Sequence, residues 1–373
     1  MKICQIVFEA PNSPLSGANI RNLALSHAIS MLGKGTVFHV QSYGPNLSWH
    51  PARARSFIAA AFSAEMVDCI VIDVMAKKPD VVIVEGVYLA ALAEALLAKD
   101  LPVILDMHNV ESALRQQIDR QKGSSLKRKL APWRYRGRWL RALEHEAQLA
   151  QAVNAVWVCS PNDAAHLKQI APHVRQIDIV PNPAPQVNAC HQRIKGRSPN
   201  AVFVGHLGYE PNVHAVHELV DDIFPIVLKD TPGATLTIAG RAPHRSIVAA
   251  VQSKKNVQLI ASPPDLHDIY ARANVALIPL RSGGGTRLKA LEAMACGLPV
   301  IATQKAVEGL NLTAGQHYLR AESAQGFADH IRSLTADPQL RDGLTQAACK
   351  FVQEHHSEAA LITAIQRSLE KMA

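Results

Sequence analysis

The chain has 373 residues, enough for two domains of ordinary size, each with its own core. Hydrophobic residues make up 48% and charged residues 19%, which excludes a disordered chain, and no apolar run approaches the roughly 20 residues that span a bilayer. The formal charge of +8 suits an anionic partner: a nucleotide-sugar, a nucleic acid or a membrane surface. Cys4, Cys69, Cys159, Cys190, Cys296 and Cys349 are scattered, as cytosolic thiols are, and form neither a disulfide framework nor a zinc site. The opening MKICQIVFEAPN reads as a first strand with no cleavage site, so a cytoplasmic protein is expected.

In chain order, Lys2 to Val7 is predicted as a strand, then comes the loop Glu9 to Ala18. A helix is predicted over Asn19 to Leu32, with Ile20, Leu23, Ala24 and Met31 on its apolar face and Gly33 ending it. Strands at Thr36 to Gln41, Val81 to Glu85 and Val103 to Asp106 alternate with helices at Ala64 to Lys77 and Tyr88 to Lys99. After a long basic helical region come strand Ala155 to Cys159, helix Asp163 to Ile170 and strand Ile177 to Val180. Pro181 to Asn200 is polar and proline-rich without periodicity, and reads as the connection between domains. The alternation then restarts, with strands at Ala201 to Gly205, Thr235 to Ala239, Val257 to Ile260 and Val275 to Leu280. Helices fall between them at Val213 to Leu228, Arg245 to Gln252 and Leu266 to Ala273, and the tail from Ala324 to Met372 reads as helical throughout. Such alternation implies parallel sheets covered on both faces, which take ligands at the carboxyl ends of their strands. In the first half this draws attention to Glu9 to Gly17, Glu85 to Val87 and Asp106 to Glu111.

The most informative stretch is Pro279 to Leu310, PLRSGGGTRLKALEAMACGLPVIATQKAVEGL. A buried strand runs into a glycine-rich turn, Arg281 to Thr286, and from Arg287 the residues Leu288, Leu291, Met294 and Ala295 recur at helical spacing until Gly297 and Pro299. Glycine N–H groups and a helix start suit an anion such as a diphosphate. The helix dipole supplies only about 0.3–1 kcal/mol, against roughly 1.5–3 kcal/mol for each charge-assisted hydrogen bond. Arg281, Arg287 and Lys289 therefore matter more than the helix end. Glu292, in the same helix, can accept two ribose hydroxyls; a solvated helix residue is the plainer alternative.

This stretch resembles the donor-site signature of the group 1 retaining glycosyltransferases, carried here by Gly285 to Lys289, Glu292 to Ala295, Gly297, Pro299 and Val300. Many members carry a further glutamate where this chain has Gly284, which shifts work to the backbone of Gly283 to Thr286. The likeness extends to Phe203, Gly205, Pro211, Asn212, Ala239 to Arg241, Asp265 and Tyr270, and more loosely to Pro14 to Gly17, Asp106 to Asn109, Ser160 and Pro181 to Asn182. It implies the α/β GT-B fold: two facing Rossmann-like domains with parallel sheets and a cleft between them. The expected division is an acceptor domain at 1–185, a linker at 186–198, a nucleotide-sugar domain at 199–355 and a helix at 356–373 crossing back to the first domain.

The resemblance further implies retention of configuration, no cofactor and no required metal, with a nucleoside-diphosphate sugar as co-substrate and a glycan, lipid-linked or other hydroxyl acceptor. It places Gly205, Arg241, Arg281, Ser282, Gly283, Gly284, Gly285, Thr286, Arg287, Lys289 and Glu292 in the donor site, and Ser16, Gly17 and His108 on the acceptor side. His108 and Glu292 take the catalytic roles.

From position alone, His108 could instead cap the next helix, and Gly17 could be a plain turn ahead of a helix. The segment after the first donor-domain strand, His206 to Glu210, lacks the arginine and lysine that some members use to grip the diphosphate. His214 and His217 have no evident third metal ligand and read as a solvated helix face. Lys122 to Arg141 has no acidic residue and interleaves Trp133, Tyr135 and Trp139 with arginines, which fits a helix or loop on an anionic membrane surface. RNA binding or a merely soluble basic face is the alternative there. Two other readings of the whole chain stay open: a nucleotide-sugar epimerase on the same fold, for which no distinct acid and base set is found, and a GT-B binding protein without activity. The lack of a Gly-x-Gly-x-x-Gly after the first strand disfavours a nicotinamide enzyme.

Overall fold

The computed structural model describes residues 1–9, 17–43, 62–114, 116, 132–184, 198–283 and 287–372. They divide into two compact units, each built on a six-stranded, wholly parallel sheet. The first unit holds β1 (Lys2–Val7), β2 (Lys34–His39), β3 (Val81–Glu85), β4 (Val103–Met107), β5 (Ala155–Val158) and β6 (Ile177–Ile179), in the spatial order β2-β1-β3-β4-β5-β6. Its helices are α1 (Gly17–Leu32), α2 (Ala64–Ala76), α3 (Ala90–Leu97), α4 (Pro132–Ala152) and α5 (Pro161–Ile170). The second unit holds β7 (Asn200–Val204), β8 (Thr235–Gly240), β9 (Val257–Ala261), β10 (Val275–Ile278), β11 (Val300–Ala302) and β12 (Leu319–Arg320), in the order β12-β11-β10-β7-β8-β9.

Strands buried on both faces read as continuous apolar runs, and β3, β4, β5 and β10 are buried at every residue. Both sheets have a point where the strand order reverses, between β1 and β3 in the first and between β7 and β10 in the second. Ligands of open α/β sheets bind beyond the carboxyl ends of the strands at such points.

The face that α1 buries differs from the predicted one. Leu23 and Met31 are 56% and 66% exposed, whereas Arg21, Asn22, Leu25, Ala28 and Ile29 are buried. Two polar residues sit on the inward stripe, so apolar periodicity pointed to the wrong side. The second unit's predicted helix over Val213 to Leu228 is three pieces: α6 (Glu210–His217), a widened π-helical turn (Glu218–Ile223) and α7 (Phe224–Asp230). Pro225, which lacks an N–H, starts α7 where none is needed. α8 (Arg245–Gln252), α9 (His267–Arg272) and α10 (Leu288–Ala295) complete the alternation.

The tail is not continuous helix but α11 (Ala324–Ala336), α12 (Pro338–His355) and α13 (Glu358–Glu370). Asp337 accepts from the N–H groups of Gln339 and Leu340 and caps α12 ahead of Pro338. α13 belongs to the first unit, where Leu361, Ile365 and Leu369 join Ile3, Ile83, Ile104 and Trp157 in one core. Trp157 Nε1 donates to Ser368 Oγ at 2.7 Å, and Ser368 Oγ to Asp178 at 2.6 Å, so α13 is pinned by polar as well as apolar contacts.

Candidate active site

In the second unit the carboxyl ends of β7, β8 and β10 carry most of the predicted donor residues. Gly205 follows β7 and Gly240 ends β8 at φ 152; a Cβ on Gly240 would stand 1.7 Å from the Gly205 carbonyl oxygen, so the two strand ends meet only without a side chain there. A Cβ on Gly205 would stand 3.2 Å from Lys289 Nζ and 2.9 Å from Asn212 Nδ2. The glycine thus leaves room for the lysine, whose ammonium donates to Asn212 Oδ1 and lies 4.7 Å from the centre of the Phe203 ring.

Arg287 precedes α10 and is buried, with Nη2 donating to the Gly283 carbonyl at 2.7 Å and lying 3.4 Å from Glu308. Burial and then the charge of Arg287 push the Lys289 ammonium down to about 7, with Glu292 acting in the opposite direction. The charged form of Lys289 is therefore disfavoured in the free protein, and an anion beside it would relieve that.

Glu292 lies three residues beyond Lys289 on α10 and accepts a hydrogen bond from the buried Tyr270 hydroxyl at 3.0 Å. Burial raises the Glu292 carboxyl, while Tyr270 and Lys289 oppose the rise. It is half-buried and held, which sets aside the solvated alternative. Arg281 is engaged differently: it pairs with Glu218 at 2.6 Å and Glu322 at 3.0 Å, so its charge is already offset by two carboxylates. Arg241 follows β8 and is half-buried; burial, and then its charge, lower His206. Ser282 is buried and Gly283 has φ 110. Gly284, Gly285 and Thr286 lie outside the described residues, as does Ser16.

In the first unit Arg21 of α1 is fully buried and grips Asp106, at the end of β4, through Nε (3.0 and 3.1 Å) and Nη2 (2.6 Å). Its Nη1 donates to the Val180 carbonyl at 2.9 Å and Asn182 Oδ1 at 2.6 Å. Burial penalises both charges, and their mutual attraction more than reverses this: Arg21 is raised, and Asp106 falls well below the usual carboxylate range. His108 Nε2 stands 3.3 Å from Asp106 Oδ2 and 3.8 Å from Glu85 Oε1. The histidine does not cap the next helix, at 111–114. Those N–H groups donate to Glu146, which accepts from Glu111 N at 2.7 Å and from Ser112 N and Oγ. Gly17 is the first residue of α1.

The segment that carries the phosphate-suited cations is also the one that compares with known proteins. Residues 198–337 match the family described as Glycosyl transferases group 1. That segment is similar to the group 1 glycosyltransferases. Over its full length the chain is similar to sucrose-phosphate synthase from Thermosynechococcus elongatus, with a TM-score of 0.72 at 18% identity, covering 100% of this chain and 98% of that one. It is likewise similar to HepE of Anabaena, solved with UDP and glucose, with a TM-score of 0.69 at 14% identity and 100% of both chains covered. At these identities the likeness carries the fold, which is GT-B. An uncharacterized 44.6 kDa protein in the cps region of Klebsiella pneumoniae is 27% identical over 44% of this chain and 45% of its own length. The chain thus spans less than half the length of the curated relative it matches.

Within this fold, Gly205, Gly283, Arg287, Lys289 and Glu292 come together in the second unit, and His108 stands with two carboxylates in the first. Arg21 and Glu146 were not singled out from the sequence as site residues, and Glu85 only as the start of the segment Glu85 to Val87. A charged residue four before Leu25 is the one signal that could have found Arg21. His217, read as a solvated face, donates or accepts with Asp221 at 3.2 Å and Ser246 at 3.0 Å. Among the described residues no group of side chains is arranged to hold a metal, and no helix is long and apolar enough to cross a membrane. Most of Lys122 to Arg141 lies outside the described residues; Trp139, within α4, is half-buried and donates to the Ser112 carbonyl at 3.3 Å, so it faces protein.

Proposed function

We propose that this chain is a retaining, metal-independent glycosyltransferase that moves a sugar from a uridine diphosphate donor to a hydroxyl acceptor in cell-surface polysaccharide synthesis. The observation that carries this is the pair Arg287 and Lys289 beside Glu292 and Tyr270, inside the segment that matches the family. As the glycosidic bond breaks, negative charge grows on the leaving diphosphate. Fixed cations supply stabilisation there without reorganising. Glu292 holds the ribose hydroxyls, and His108 orients the reacting sugar or the acceptor hydroxyl. Uridine as the base is supported by HepE, which was solved with UDP, and the polysaccharide setting by the relative from a cps region. Retention is what the resemblance of residues 285–300 implies. The protein works on the cytoplasmic side, and Lys122 to Arg141 attaches it to anionic lipid; salt-sensitive sedimentation with anionic vesicles tests that attachment.

Calorimetric titration with UDP, GDP, ADP and CMP in chelator tests the donor site. UDP alone should bind. The Glu292→Ala variant should bind it about ten- to hundredfold more weakly, the equivalent of roughly 1.5–3 kcal/mol for a lost charge-assisted pair. A folded Glu292→Ala protein with unchanged UDP affinity refutes the ribose assignment.

A further inference from the structure

The point where strand order reverses in the first sheet lies between β1 and β3, and beside His108 the side chains of Phe8, Glu85 and Tyr88 there have been given no role so far. Glu85 ends β3 and is buried; its Oε2 accepts from the N–H of Phe8, the residue after β1, at 2.7 Å. Its Oε1 is 3.8 Å from His108. Tyr88 shares Glu85 through its hydroxyl, which burial and then Glu85 raise well above the ordinary phenol value. The Tyr88 ring packs edge-on against Phe8 with centroids 5.9 Å apart, and both aromatics remain half-buried. Gly86 sits between Glu85 and Tyr88 at φ 64, where a Cβ would come within 2.4 Å of the Tyr88 ring. Glycine at this position leaves the ring its room.

At the adjoining end of β4 the buried Asn109 Oδ1 makes no hydrogen bond among the described residues, while His108 Nε2 is turned to Asp106. Unmet donors and acceptors of this kind are satisfied by ligand or water. Arg21 pairs with Asp106, whereas Glu85 faces His108 and no described guanidinium or ammonium is seen to pair with it.

Resting on the transferase reading above, we propose that this edge takes the acceptor, and that the acceptor unit it takes is an uncharged pyranose and not a sugar phosphate. Carboxylate, imidazole and amide oxygen are the groups that hydrogen-bond sugar hydroxyls, and Phe8 and Tyr88 offer the apolar wall that a pyranose ring face needs. A phosphate brought to Glu85 meets like charge.

The test is saturation-transfer NMR on the full chain with methyl glycosides of glucose, galactose, mannose and N-acetylglucosamine, each beside its 6-phosphate. At least one glycoside should show ring-proton saturation, with its phosphate about tenfold weaker or more. Glu85→Gln, which keeps an oxygen for the Phe8 N–H, should erase that discrimination, and Tyr88→Leu should abolish glycoside binding. UDP affinity, read by calorimetry on the same samples, should stay unchanged in both variants. A protein that binds UDP yet takes the phosphates as well as the glycosides overturns this proposal alone. So does glycoside binding that neither variant alters. Absence of UDP binding overturns the transferase reading instead.

Discussion

If the proposed uridine diphosphate donor binds beside Lys289, its affinity should depend on pH in a defined direction. In the free protein burial and Arg287 bring its ammonium down to about 7. A diphosphate beside it favours the charged form and raises that value in the complex. Binding therefore takes up a proton above neutrality, and affinity must fall as pH rises through the free-protein value. With a value near 7, the charged fraction drops from about nine-tenths at about pH 6 to about one-tenth at about pH 8. Affinity then declines about tenfold over that span and about tenfold more in the next unit, at 1.4 kcal/mol per tenfold. The diphosphate's own proton, lost near a pKa of about 6, works the other way only at the acidic end. The assay is calorimetric titration of UDP from about pH 6 to about pH 9, repeated in buffers of different ionisation enthalpy to count protons taken up. Lys289→Met should bind weakly at every pH and lose the slope. An affinity that is flat above neutrality, or a slope that survives in Lys289→Met, would show that this ammonium does not meet the phosphates.

Tyr270→Phe removes the 3.0 Å hydrogen bond to Glu292 while keeping the ring. It should raise the Glu292 carboxyl further and weaken UDP by about fivefold, near the 1 kcal/mol of an ordinary hydrogen bond, in the same titration. Arg21→Met leaves Asp106 buried without its cation and should cost about 3–5 kcal/mol in urea unfolding. The double variant Arg21→Met with Asp106→Leu should recover most of that; equal losses in the two would refute the pairing as their cause. Burial pushes the Glu146 carboxyl up to about 7, against the hydrogen bonds from Ser112 and Glu111. Because the folded value exceeds the unfolded one, its contribution is complete at acid pH and is lost as pH rises from about 4.5 through about 7, roughly 3 kcal/mol in all. Unfolding midpoints measured across that window should show a slope that Glu146→Gln flattens.

The difference between what could and could not be read from the sequence has one physical origin. The strand, glycine turn and helix around Pro279 to Leu310 were legible because local periodicity fixes them: β10 and α10 fall where apolar spacing puts them. The same rule failed on α1, whose inward stripe carries Arg21 and Asn22. Apolar spacing assumes that buried means apolar, and a guanidinium met by Asp106, Val180 and Asn182 escapes that assumption. Those partners lie 85 to 161 residues away in the chain, so no window of local sequence contains both halves of the pair. Glu292 shows the same limit in a milder form. Its place on α10 follows from spacing, but its hydrogen bond comes from Tyr270, 22 residues earlier on another helix. Arg281 marks the limit from the opposite side: sequence gave it a free charge beside the glycine turn, and Glu218 and Glu322 take that charge up. Charge type is local, whereas charge compensation is a property of the packed sheet and its surrounding helices. For that reason Lys289, crowded by Arg287 and only partly offset by Glu292, is the cation on which nucleotide binding should chiefly depend, and Arg281 is better placed to hold the turn against α11.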